Sequence, residues 1–459
     1  MREETTAQFG QALRGALIGR EHSEYEAARK LYNGAIDKHP LLIARCLDAA
    51  DVIAAVNFGR DNKLPIAVRG GGHNGPGLGS VDDGLVIDLS QMRGVRVDPK
   101  TQTVRLAAGC VTGDVDHATH AFGLAVPFGI VSTTGVAGLT LSGGHGYLSR
   151  QYGLAADNLL EADVVLADGS FVTTSEAENT DLLWALRGGG GNFGVVTSFL
   201  FRAHPVSMIY GGPLVWELSD AAEIMRWYRE FQATAPDELC VFLGLQVIPS
   251  GDPFPKEHWD KKVCVLMPVH GGTAADGERA IQALRGALPK PIIDWAGPMP
   301  YPAVQSLFDG LFPKGLHWHW KGDFVKDLPD AAIETHLAHA AKLPSALSAM
   351  HLYPIDGAVH RKNRNETAWN ARDATWSMVI IGVDPDPAKL PQVRQWTRDY
   401  WAAVHPFDLA GGYPNFMMDD EGQGRLEATF GDNYPRLAAL KKKFDPANLF
   451  RVNQNIRPG

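Results

Sequence analysis

Up to about residue 205, apolar residues fall in short runs separated by glycine, proline and asparagine, which predicts strands rather than core helices. The runs are Leu41–Arg45, Leu64–Arg69, Leu85–Leu89, Val104–Ala107, Asp163–Leu166 and Val195–Phe201. A helix is predicted over Glu24–Tyr32, and another opens at Asp48, whose carboxylate can cap the turn Ala49-Ala50-Asp51-Val52. Near the other end, Tyr434, Leu437, Leu440 and Phe444 form one helical stripe with lysines beside it. Two further runs alternate with period two. In Met350–Pro354 this puts His351 and Tyr353 on one face; in His317–Trp320 it sends His317 and His319 one way and Trp318 and Trp320 the other.

The character of the chain changes after Pro205. Glycine thins out, and ten of the eleven tryptophans lie between 206 and 412, the exception being Trp184. We divide the 459 residues into segments 1–205, 206–412 and 413–459, the last returning to the first, since one small core cannot serve such a length. The formal net charge of -9 argues against a nucleic-acid or anionic-membrane binder. An anionic ligand must then be held by local backbone N–H groups and a few cations. Cys46, Cys110, Cys240 and Cys264 are far apart and form neither a zinc signature nor a disulfide framework. No run has the ~18 apolar residues of a membrane span, and the expected location is cytoplasmic.

The 49 glycines exceed the usual ~7% of residues and are clustered. Three stretches stand out: Arg69-Gly70-Gly71-Gly72-His73-Asn74 after a strand, Gly129–Gly146, and Arg187–Gly194. Consecutive glycines let backbone approach a ligand, and their N–H groups can converge on phosphate oxygens. The spacing is not the G-x-G-x-x-G of a dinucleotide fold, and no phosphate-loop lysine follows. Taken singly each loop reads equally as a tight turn, and His73 could hydrogen-bond a ligand as readily as attach to one.

Together the three loops, in this order, resemble the FAD-binding domain of the vanillyl-alcohol-oxidase superfamily over residues 40–205. The segment Asn433–Pro458 resembles the C-terminal element of its berberine-bridge-enzyme-like members. The resemblance implies an α+β fold: a two-part FAD-binding domain of the PCMH type, and a substrate domain whose antiparallel sheet roofs the flavin. It implies FAD bonded covalently to His73, with Arg69, Gly70, Gly71, Gly72 and Asn74 around the pyrophosphate. Ser132, Thr133, Thr134, Gly135, Gly138, Gly143 and Gly144 would lie along the pyrophosphate and isoalloxazine. Gly194, Val195 and Val196 would face the adenine half, and Asn453 and Asn455 would return beside the cofactor. Relatives with a second covalent bond carry a cysteine where Val131 stands, so a single attachment through His73 is expected. Cys110 occupies a different place and reads as a small buried hydrophobe.

The same resemblance implies an FAD-dependent oxidoreductase that removes a hydride from an alcohol, amine or hydroxylated natural product, with O2 as electron acceptor. A dehydrogenase with another acceptor, or a catalytically impaired flavin-binding relic on the same fold, is the alternative. Thr134 stands where relatives control oxygen access and decides neither way. The substrate proton needs a base. In the family motif Y-x-N-Y, here Tyr413-Pro414-Asn415-Phe416, a phenylalanine replaces the second tyrosine and cannot take a proton. Candidates for catalysis are therefore His351, Tyr353, Tyr413 and Asn415, with the base left open. Trp318, Trp320, Phe416 and Arg372, the last matching a family arginine at the pocket rim, are candidates for the substrate pocket. No metal is expected, because His317 and His319 lack companion ligands.

Overall fold

The computed structural model describes residues 3–459. Three antiparallel or mixed sheets organise it. The first is four-stranded: Ala16–Gly19, Leu42–Arg45, Leu85–Asp88 and Ile66–Arg69, in that spatial order. The last three run parallel, so Arg69 and Asp88 lie side by side where the glycine loop begins. Asp48 caps the helix Ala49–Asp61 as its sequence suggests, accepting the N–H groups of Ala50 and Asp51. The second sheet, wholly antiparallel, orders Val95–Asp98, Thr103–Ala107, Val195–Arg202, Leu159–Val165 and Phe171–Ser175.

The third sheet has nine strands, all paired antiparallel. Its main path runs Ile293–Asp294, Leu214–Glu217, Lys262–His270, Leu239–Val247, Ala349–Pro354, Trp376–Asp384, His317–Val325. One rung crosses Val379, His351, Gly244, Val265 and Val215 in register. Because side chains alternate along a strand, this rung presents one face toward the glycine loops. The other face packs on helices, among them Leu390–Val404, around Leu243, Leu266, Met378 and Ile380.

The expected helix over Glu24–Tyr32 shrinks to Tyr25–Ala28. Tertiary bonds take its backbone instead: Tyr32 N–H donates to Gly72 O at 3.1 Å, and Gly315 N–H donates to Tyr32 O at 2.9 Å. The chain thus leaves helical geometry in order to brace the glycine loop. The C-terminal stripe forms the helix Tyr434–Phe444.

Candidate functional site

The three glycine stretches and the inner face of the nine-stranded sheet enclose one cavity of about 510 Å³. The side of it formed by the glycine loops is built from backbone. A Cβ added to Gly71 would come within 2.4 Å of Gly135 N, and one on Gly135 within 2.3 Å of Gly71 N. These loops therefore pack main chain against main chain, which only glycine allows. Gly72 also holds φ at +70°. Arg69 pairs with buried Asp88 at 2.8 Å, yet its Nη1 finds no partner among the described residues. Oδ1 atoms of Asn453 and Asn455 are likewise orphaned. Unpaired buried polar atoms beside a glycine-lined cleft are what an anionic, hydrogen-bonding cofactor would satisfy.

His73 lies in this wall. Thr133 Oγ1 sits 3.1 Å from its Nε2, and Tyr32 stacks on its ring at 3.9 Å. Burial lowers its pKa to about 4, so the imidazole is neutral at pH 7 and keeps a nucleophilic lone pair. The third glycine loop is tied to the chain terminus. Asn453 Nδ2 donates to Gly191 O at 3.1 Å, and Asn192 Nδ2 donates to Gln454 O at 3.1 Å. Beneath them Lys441, fully buried, donates to Asn192 O, Phe450 O and Asp445 at 2.8, 2.9 and 2.6 Å.

Over the cavity the sheet presents His351 and Tyr353 together. Tyr353 OH and His351 Nδ1 are 2.7 Å apart, and His351 Nε2 lies 3.3 Å from Gln246 Oε1. The amide oxygen only accepts, so Nε2 carries the ring proton and Nδ1 accepts from the tyrosine hydroxyl. The lone pairs of Tyr353 are left to receive a proton from the cavity. Burial lowers the His351 pKa to about 4 and raises that of Tyr353. Tyr413 OH accepts Gly144 N–H at 3.2 Å and Asn415 Nδ2–H at 2.9 Å, which commits it and Asn415 to the loop. Phe416 packs between Tyr413, at 4.9 Å between ring centres, and His145, at 5.7 Å.

Other sequence candidates divide into two sets. Gly70, Asn74, Thr134, Gly138, Gly194, Val196, Trp318 and Trp320 line the cavity. Ser132, Thr133, Gly143, Gly144, Val195 and Asn455 are not among the residues lining it, although Thr133 touches His73 from the exposed side. Ser132 is bonded to Asp309, and Val195 is paired with Val165 within its sheet. Arg372 requires a correction: it is no rim residue. It makes a two-pronged ion pair with Asp157 at 2.7 and 2.8 Å, both side chains 2% exposed, and stacks over Trp369 away from the cavity. His319 faces the helix side, buried and unpartnered among the described residues.

Sequence reasoning missed His145. It lines the cavity 4.6 Å from the Tyr413 ring, is 6% exposed, and neither nitrogen has a partner among the described residues. Burial lowers its pKa to about 3. The signal was available: like His73, it directly follows consecutive glycines. Gln246 and Tyr32 carry no such local mark.

A neutral histidine beside a glycine-walled cleft, with His351 and Tyr353 across the same cavity, fits a flavin-dependent oxidoreductase. Comparison with known proteins agrees. Residues 40–175 match the model of an FAD binding domain, and residues 412–457 match that named berberine and berberine like. The chain is 32% identical to an FAD-linked oxidoreductase of Dictyostelium discoideum, covering 98% of this chain and 96% of that protein. It is 31% identical to the (R)-6-hydroxynicotine oxidase of Paenarthrobacter nicotinovorans, covering 97% of each. The crystal structure of 6-hydroxy-D-nicotine oxidase from Arthrobacter nicotinovorans superposes with a TM-score of 0.86 at 28% identity, over 97% of this chain and 98% of that one. The protein belongs to the FAD-linked oxidoreductase family with a berberine-bridge-like C-terminal segment.

Proposed function

We propose that this FAD-linked oxidoreductase is an oxidase for a small hydroxylated molecule, with Tyr353 and His351 receiving the substrate proton. The observation that carries this reading is the chain Tyr353–His351–Gln246, aimed into the cavity by period-two alternation and fixed in one tautomer. When bound, FAD supplies the two-electron acceptor, and O2 takes the electrons on. Tyr353 orients the substrate hydroxyl and passes its own proton to His351 Nδ1 as it takes the new one. His351 is neutral above about pH 4 and is free to accept. Phe416 cannot replace them, which moves the proton-accepting role from the C-terminal segment to the sheet. The oxidase reading, over a dehydrogenase, is supported by the relative named as an oxidase.

Gly70, Gly71, Gly72, Gly135, Gly191 and Asn453 would hold the cofactor, and His73 would bond it covalently. A single bond is proposed. Val131 lines the cavity with a side chain that cannot form a thioether, and burial pushes the Cys110 thiol up to about 12. The segments 1–205, 206–412 and 413–459 are proposed as cofactor domain, substrate domain and returning element. Four unpaired cysteines support a reducing, cytoplasmic location.

Two experiments test this reading. Under anaerobic conditions, an alcohol from a panel of alcohols, amines and sugars should bleach the flavin band, and admitting O2 should restore it. If none of the panel reduces a fully loaded flavin, the redox reading fails. In acid precipitation the yellow colour should stay with the wild-type pellet and leave with His73→Ala. Colour in the wild-type supernatant would refute covalent attachment.

A further inference from the structure

The cavity extends well past the proton-accepting pair, and its chemistry changes as it does so. Along the rung from His351, the next positions are Gly244, Val265 and Val215, all on the cavity wall. Three strand spacings make this a run of roughly 14 Å. A Cβ on Gly244 would press within 3.1 Å of His351 Cδ2, so glycine keeps the floor open next to the pair. Beyond it Ile248, Phe254 and Trp295 close the far end, with Phe254 and Trp295 ring centres 5.5 Å apart. Trp295 is 39% exposed, so part of its ring stays open at this end of the cavity.

Charge is missing from this extension. Among the described residues lining the cavity, the only permanently charged one is Arg69, which belongs to the glycine loop and is paired with Asp88. A carboxylate or ammonium buried here would lack a counter-charge, which is strongly unfavourable. Hydrogen-bonding groups are equally scarce past the pair. The polar side-chain groups there are the Gln246 amide, whose oxygen faces His351, and the single N–H of the Trp295 indole. A polyhydroxylated ligand would strand several hydroxyls, each weakening binding about 5-fold or more.

Resting on the redox reading above, we propose that the substrate is an uncharged, predominantly apolar alcohol with a fused-ring or extended aromatic body. Its one reacting hydroxyl meets Tyr353, and its body lies over Gly244 and Val265 toward Trp295 and Phe254. Sugars, carboxylates and permanent cations are excluded by the wall.

The test is equilibrium binding to the anaerobic holoenzyme, followed by calorimetry and by perturbation of the flavin spectrum. The probes are 2-naphthylmethanol, 2-naphthoate, 2-naphthylmethylamine and cellobiose. Expected is a Kd for the naphthyl alcohol at least 30-fold below those of the carboxylate, the ammonium and the disaccharide. Trp295→Ala should raise the alcohol's Kd about 10-fold while leaving the flavin spectrum unchanged, and Trp295→Phe should restore most of it. Val215→Asp should weaken the alcohol and strengthen the ammonium. Tighter binding of cellobiose or naphthoate, or no binding of any probe, overturns the substrate class. Bleaching of the flavin is read separately: an alcohol that binds as expected without reducing the flavin upholds the class and removes the redox reading beneath it.

Discussion

Replacing Lys441 by methionine should loosen the cofactor wall from a point outside the cavity. Lys441 and Asp445 are both 0% exposed, and three acceptors share the ammonium. Asp445 in turn accepts the N–H groups of Leu449 and Phe450 at 2.7 and 2.8 Å. Methionine fills the space but leaves that carboxylate buried without its cation, removes the lysine's bond to Asn192 O, and leaves Phe450 O only the Asn453 amide. Breaking a buried pair in this way costs about 3–5 kcal/mol. At ~2.1 cal/mol/K per residue, the 459 residues give an unfolding entropy of ~1 kcal/mol/K, so a cooperative transition should fall by about 3–5 °C. Scanning calorimetry measures it. Because Asn192 and Asn453 border the cavity, flavin fluorescence should also rise before the main transition. Adding Asp445→Asn should recover part of the loss, since the stranded charge is then gone. Lys443→Met is the control: its pair with Asp181 is solvent-exposed, 58% and 31%, and its melting temperature should not move. If Lys441→Met melts like the wild type, the buried pair does not hold the third glycine loop.

Two further outcomes follow from the site. His145 and His351 have pKa values lowered to about 3 and about 4 by burial, so the folded state binds fewer protons than the unfolded chain between those values and 6.5. Stability should therefore fall as pH drops from 6.5 toward 4, and kcat/KM should fall tenfold per pH unit below about 4 while staying level above 5, as His351 stops accepting. Melting curves and initial rates across pH 3.5–8 check both; an acid limb near 6.5 would remove His351 from the reaction. Phe416→Tyr restores the tyrosine of the related motif beside His145 and Tyr413. It should leave flavin reduction nearly unchanged, because Tyr353 already fills the role, and a large gain in rate would return that role to the C-terminal segment.

What the sequence made legible was local. Three glycine runs, a histidine following one of them, and two residues spaced by two in a strand need only neighbouring positions to be recognised. Partners far along the chain were not visible. Gln246 lies 105 residues from His351, and Asp157 lies 215 from Arg372, so the tautomer of one and the burial of the other depend on sheet order and domain packing. Lys441 reads as a solvated lysine in a basic stretch, and only the fold shows it enclosed. The shortened Glu24–Tyr32 helix has the same origin: bonds from Tyr32 and Gly34 to distant backbone outweigh local helical preference. His145 is the exception, since its glycine context was as plain as that of His73.

The most direct measurement is the rate of flavin reduction in anaerobic rapid mixing with an alcohol substrate, wild type against Tyr353→Phe. Loss of a positioned proton acceptor should lower the limiting rate about 10²–10⁴-fold, far more than it weakens substrate binding, while flavin loading stays unchanged. A Tyr353→Phe enzyme that reduces its flavin at the wild-type rate would contradict proton acceptance by the Tyr353–His351 pair.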